Sequence, residues 1–138
     1  MVKLMVGHKG SGKTKHLIEL VNTAMEQSDG CVVCVEKEPH LTYDVNYRVR
    51  LIDTDHFGIC GYDQLFGFLC GVCAGNHDIT DMLIDATLKI GGRNYEELAD
   101  FLKQVDKFCA QSGKKVTFTV SADKAELPDR IFEFCEIL

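Results

Sequence analysis

The octapeptide Gly7-His8-Lys9-Gly10-Ser11-Gly12-Lys13-Thr14 constrains this chain more than any other stretch. Its pattern, G-x-x-x-x-G-K-[ST], has meaning only between an apolar strand and a helix. Both flanks are present. Val2 to Val6 is a short apolar run, and from Lys13 to about Gln27 the residues Leu17, Ile18, Leu20, Val21, Ala24 and Met25 recur at helical spacing. Glycines let the backbone curl so that successive N–H groups turn inward. The helix that follows adds its free N–H groups and the positive end of its dipole. Such a cradle takes a phosphate chain. Lys13 is expected to reach the β- and γ-phosphates and Thr14 to place its hydroxyl on Mg²⁺. Gly7, His8, Lys9, Gly10, Ser11, Gly12, Lys13 and Thr14 are therefore the candidate nucleotide contacts, with the His8 and Lys9 side chains read as solvated.

The rest of the chain alternates in kind. Cys31 to Val35 is a continuous apolar, β-branched run, as in a strand buried on both faces. The polar stretch Glu36 to His40, with Pro39, ends it. Arg48 to Ile52 reads as another strand, followed by the polar turn Asp53 to His56. Tyr62 to Ala74 reads as a helix, Asp81 to Asp85 as a strand with an acidic tip, and Gly91-Gly92 as a break. Asn94 can cap a helix from Tyr95 to about Gln111, with Glu96 and Glu97 in its first turn. Lys115 to Val120 is a strand tipped by Ser121. At the end, Pro128 fits the first turn of a short helix, and Phe132 to Leu138 fits an edge strand equally well. Strands alternating with helices predict one domain over residues 1–138: a three-layer α/β/α fold with a mainly parallel sheet of five or six strands. Ligands of such sheets bind at the carboxyl ends of the strands, where these polar tips fall.

Phosphate chemistry with Mg²⁺ also requires a carboxylate near the metal shell. Asp85, at the end of Met82-Leu83-Ile84, is the candidate, so Thr14 and Asp85 form the expected metal pair. Ala86 and Thr87 follow it, where many such ATPases carry a water-activating Glu. Glu36 and Glu38, just past the second strand, are the substitutes, and with Lys13 they form the candidate catalytic set. Arg48, Arg50 and Arg93 are the cations that a phosphate-covering lid would draw on.

Composition limits the partners. The chain has 138 residues with a net charge of −6, 46% hydrophobic and 26% charged. The negative balance gives no strong signal for nucleic-acid binding. No apolar run approaches the roughly 20 residues that span a bilayer, and the N-terminal run lacks the length of a signal peptide. Both point to the cytoplasm and to no membrane insertion. Seven cysteines are expected to be reduced there. Cys31/Cys34 and Cys70/Cys73 have the CxxC spacing of zinc sites. The first pair lies in a strand-like run, where residues three apart point to opposite faces. The second lies at core spacing in a helix. Packing explains both better than zinc.

With these pieces placed, the chain resembles the RecA-like branch of P-loop ATPases. In that branch a strand, here Val116 to Val120, inserts between the phosphate-loop strand and the acidic strand. The catalytic Glu follows the second strand, as Glu36 and Glu38 do. Nearly the whole length is similar to small single-domain ATP-binding P-loop proteins of Firmicutes, often labelled pilus-retraction-like ATPases. The stretches that carry this are Gly7 to Glu19, Leu65 to Gly71 and Val120 to Asp123. The SGKT ending is also similar to that of zinc-lasso thymidine kinases, but these carry a Glu after the Asp and a C-terminal zinc segment, and residues 121–138 offer only Cys135. The motif and the absence of a Glu beside Asp85 lead to the expectation of an ATP- and Mg²⁺-binding protein, at most a slow ATPase, that acts as a switch or accessory factor. A small-molecule, nucleoside-type kinase is the alternative. A subunit of a RecA-like oligomeric ATPase is another, with a second copy or a different protein as partner.

Overall fold

The computed structural model describes residues 1–38 and 44–138; Pro39 and His40, expected to end the second strand, lie outside them. Six strands form a single parallel sheet: β1 (Val2–Val6), β2 (Cys31–Glu36), β3 (Arg50–Asp53), β4 (Ile79–Ile84), β5 (Lys115–Val120) and β6 (Cys135–Ile137). Their spatial order is β3-β2-β4-β5-β1-β6. The strand Lys115–Val120 thus sits between β1, which leads into the glycine loop, and β4, which leads into Asp85, as expected. Its register sets Val6 beside Val120 and Phe118 beside Ile84.

Period-two alternation divides the core. Val32, Cys34, Leu83 and Met5 face one side, where they pack with Leu17, Val21 and Met25 of α1 (Lys13–Gln27). Val33, Val35, Met82, Ile84 and Phe118 belong to the other side, with α2 (Tyr62–Gly75), α3 (Thr87–Gly91) and α4 (Tyr95–Ser112). Helices on both faces are compatible with a three-layer α/β/α arrangement. Phe101 and Phe118 meet edge to face in the larger cluster, with ring centroids 5.4 Å apart. Burying side chains of this size contributes about 1.5–3 kcal/mol each. Asn94 caps α4 through its side chain, which accepts from the amides of Glu96 and Glu97.

The start of β3, helix α3 and the C-terminus differ from expectation, and β4 runs over Ile79–Ile84 where Asp81 to Asp85 was expected. The strand expected from Arg48 begins at Arg50, because Val45 and Val49 are drawn into the α1-side core instead. Helix α3 was not foreseen: five residues are too few for a periodic pattern, and the Gly91-Gly92 break is its C-terminal end. Near the C-terminus both readings hold in part. A 3₁₀ turn follows Pro128 over Asp129–Glu133, and β6 then pairs with β1 at the sheet edge.

All seven cysteines are free. Cys34 packs in the α1-side cluster and Cys31 against the opposite one, so the strand separates that pair as expected. Cys73 is buried, its thiol donating to the Met82 sulfur at 3.5 Å. No helix among the described residues is long and apolar enough to cross a membrane.

Candidate functional site: the glycine loop and its cationic cavity

The segment Gly7–Gly12 links β1 to α1 at the carboxyl edge of the sheet. Glycine is required there for two separate reasons. Gly10 and Gly12 have φ of 87° and 88°, in the left-handed region. A Cβ on Gly7 would lie 2.7 Å from Ser11 Oγ. The loop closes on itself through Ser11 N–H to His8 O (3.1 Å) and is tied to the end of β5 by Gly7 N–H to Ala122 O (2.9 Å). The Lys13 ammonium folds back to donate to Gly7 O at 2.7 Å and to His8 O at 2.9 Å. Helix α1 starts with no side-chain cap and no acidic residue in its first turn, so its positive end is left open to an anion.

Beside the loop lies a cavity of roughly 440 Å³. Lys9, Gly10, Gly12, Lys13, Thr14 and Lys15 line it from the loop and α1. Asp85, Ala86, Leu88, Lys89, Arg93 and Ser121 line it from the ends of β4 and β5 and the α3 region. Five cationic side chains therefore face one carboxylate, in a chain whose net charge is −6. Partial burial lowers the pKa of the Lys13 amine, and the nearby Asp85 carboxylate offsets part of that shift. The Asp85 Oδ1 accepts from the Thr119 hydroxyl at 2.6 Å, and the same hydroxyl accepts from Ala86 N–H at 2.9 Å.

Of the residues expected from sequence, the cavity brings together Lys9, Gly10, Gly12, Lys13, Thr14 and Asp85. Gly7 and Ser11 lie within the loop without lining the cavity. His8 was expected to be solvated. It is exposed but held, with Nε2 2.8 Å from Asp123 Oδ2 and 3.7 Å from Glu126 Oε1. The physical reason is the return of the chain after β5, which sets an acidic turn beside the loop. Glu36 is buried at 3% exposure at the end of β2, and Glu38 is exposed in a left-handed conformation with φ 70°. The Glu38 N–H donates to Asp53 Oδ1. Neither glutamate lines the cavity. The Cys34 thiol is pushed up to about 12, by burial first and then by the Glu36 and Asp85 carboxylates. Among the candidate lid arginines, Arg93 lines the cavity and Arg48 and Arg50 do not.

Lys89 and Thr119 were missed. Lys89 depends on α3, which has no periodic signature. Thr119 carried a usable signal: Thr117 and Thr119 are polar residues inside a strand buried on both faces, at 7% and 2% exposure. A polar side chain in such a position needs a partner.

No protein-family model matches the chain, and no curated protein is recovered as a relative.

Proposed function

We propose that this chain is a P-loop protein of the RecA-like branch that binds a nucleoside triphosphate, ATP by expectation, together with Mg²⁺. The observation that carries the reading is the cationic cavity at an uncapped helix start, with five cations and a single carboxylate around a glycine loop. Polyanion binding follows from that charge arrangement. A strongly hydrated divalent cation bridging phosphates would find its protein oxygens in Thr14 and Asp85, a hydroxyl and a carboxylate, which is the hard-oxygen chemistry Mg²⁺ takes. The donor set therefore fits Mg²⁺–triphosphate. When bound, Mg²⁺ neutralises phosphate charge. Lys13 would exchange its two loop carbonyls for phosphate oxygens, and Arg93 and Lys89 would cover the chain from the α3 side.

Turnover rests on weaker support than binding. Glu36 and Glu38 stand outside the cavity lining, so a switch or accessory role, with slow hydrolysis at most, fits better than a fast ATPase. Arg93 in the lining favours the kinase alternative over a reading that leaves all the arginines solvated. The subunit of a RecA-like oligomer has no specific observation in its favour.

The test is equilibrium binding of a fluorescent ATP analogue to the parent and to Lys13→Ala, with circular dichroism to check folding. Lys13→Ala is expected to weaken binding at least tenfold, about 1.4 kcal/mol. Unchanged affinity in a folded Lys13→Ala protein would overturn the reading.

A further inference from the structure

The Asp85 backbone is tied to β2 and its carboxylate to β5, and the residue that holds the carboxylate is neither charged nor part of the glycine loop. The Asp85 N–H donates to Val35 O on β2 at 2.8 Å. Its Oδ1 accepts from Thr119 on β5 at 2.6 Å. Ala86, the next residue, donates its N–H to that same hydroxyl at 2.9 Å.

The direction of these bonds follows from proton counting. A threonine hydroxyl has one proton and accepts through its lone pairs. An amide N–H can only donate, so Ala86 occupies a lone pair of Thr119. An ionised carboxylate can only accept, so the single Thr119 proton goes to Asp85. The O···O separation falls in the range of charge-assisted bonds, about 2.5–2.7 Å. Thr119 is 2% exposed, so no competing solvent shell surrounds it. Ala86 adds a further sign of constraint: it is a non-glycine residue with φ 56° and ψ 42°, a conformation that persists where its surroundings enforce it. With Oδ1 engaged, the second carboxylate oxygen, Oδ2, has no hydrogen bond among the described residues, and Asp85 lines the cationic cavity.

We propose that Thr119 is a positioning residue that orients the Asp85 carboxylate toward the Mg²⁺ shell. This rests on the Mg²⁺–triphosphate reading above. Loss of a partner that orients a ligating group typically costs about 10–100-fold in metal affinity. Thr119 lies outside the glycine loop and does not line the cavity. Its effect therefore falls on the Mg²⁺ requirement and not on Mg²⁺-free nucleotide binding.

The experiment titrates Mg²⁺ against a fluorescent ATP analogue bound to the parent, Thr119→Val, Thr119→Ala and Thr119→Ser, with a parallel measurement in EDTA. Thr119→Val is close in shape and lacks the hydroxyl. Thr119→Ala lacks it without placing a new methyl group and guards against a packing artefact. In both, the Mg²⁺ concentration for half-maximal binding is expected to rise by about tenfold, with EDTA binding unchanged. Thr119→Ser, which keeps the hydroxyl, is expected to restore the parent value. A parent-like Mg²⁺ midpoint in the Val and Ala variants, or an equal loss in EDTA, would overturn the positioning role alone. Should the parent itself bind nucleotide with no enhancement by Mg²⁺, the metal reading falls and takes this proposal with it.

Discussion

Two cavities share the α3 segment and differ most in charge. The cavity at the glycine loop, roughly 440 Å³, is lined by Lys9, Lys13, Lys15, Lys89 and Arg93 with Asp85. The second, roughly 590 Å³, lies between the first turns of α2 and α4 and is lined by Asp63, Glu97 and Asp100 with no lysine or arginine. The helix starts explain the contrast. Helices α2 and α4 carry Asp63 and Glu96/Glu97 in their first turns, where a carboxylate stabilises the positive end of the dipole. Asp100 is further paired with Arg130 at 2.9 Å. Those acids have an intramolecular purpose. Helix α1 has no acid in its first turn and no side-chain cap. Its positive end is not offset by a carboxylate of its own first turn. Charge, and not volume, therefore separates the two, since the larger cavity is the one whose charges are already accounted for.

The largest expected effect would break this contrast outright. Lys13→Ala should cost at least about tenfold in triphosphate affinity, whereas Glu97→Gln in the acidic cavity should leave affinity unchanged. Equal losses in calorimetric titrations of the two variants would mean that the charge distinction carries no ligand. Comparable in size, but read on stability, is a packing test on the wall between the cavities. A Cβ at Gly91 would lie 2.1 Å from the Tyr62 ring, which is buried against Phe101 and donates its hydroxyl to Gly92 O at 2.6 Å. Gly91→Ala is expected to lower stability by about 2 kcal/mol, as overpacking does, read by urea denaturation. Arg93→Ala should follow, with a few-fold loss of triphosphate over diphosphate preference and no change in melting temperature. A preference that survives would remove Arg93 from the phosphate side.

Two further tests concern the thiols. Cys60 is exposed at the rim of the acidic cavity, so a thiol reagent should label it first in the folded chain, and nucleotide should not protect it. Burial pushes Cys34 and Cys135 up to about 12 and Cys109 up to about 11, from an ordinary 9.0. Above pH 9 the unfolded chain releases thiol protons that the folded chain keeps. Stability should therefore fall as pH rises from there toward 12. Thermal melts across that window read the slope, and a flat profile would mean that these thiols are not held protonated by the fold.

Much of this architecture was legible residue by residue. The runs Val2–Val6 and Lys115–Val120 and the helix from Lys13 to Gln27 match their observed bounds, because each is long enough for one period to dominate. Asn94 was recognisable as a cap from its place before Glu96 and Glu97. What escaped was short or non-local. Helix α3 has five residues and starts after a left-handed alanine that no propensity would suggest. Val45 belongs to the core under α1 although its neighbours are polar, and Val49 joins that core rather than the strand expected from Arg48. His8 looked like a free position in the motif and is paired with Asp123, 115 residues away.

By itself, then, the sequence determined the loop: glycines where φ is positive, an apolar strand before, an amphipathic helix after, and a lysine and threonine at its end. These are local features, set by sterics and periodicity within a few residues. Only the tertiary structure decided what faces that loop. The strand order β4-β5-β1 brings Asp85, Ser121, Lys89 and Arg93 to the loop's cavity, leaves Glu36 and Glu38 outside its lining, and sets Thr119 against Asp85. Those choices depend on which strands pair and how helices cross back over them, and no local pattern encodes that.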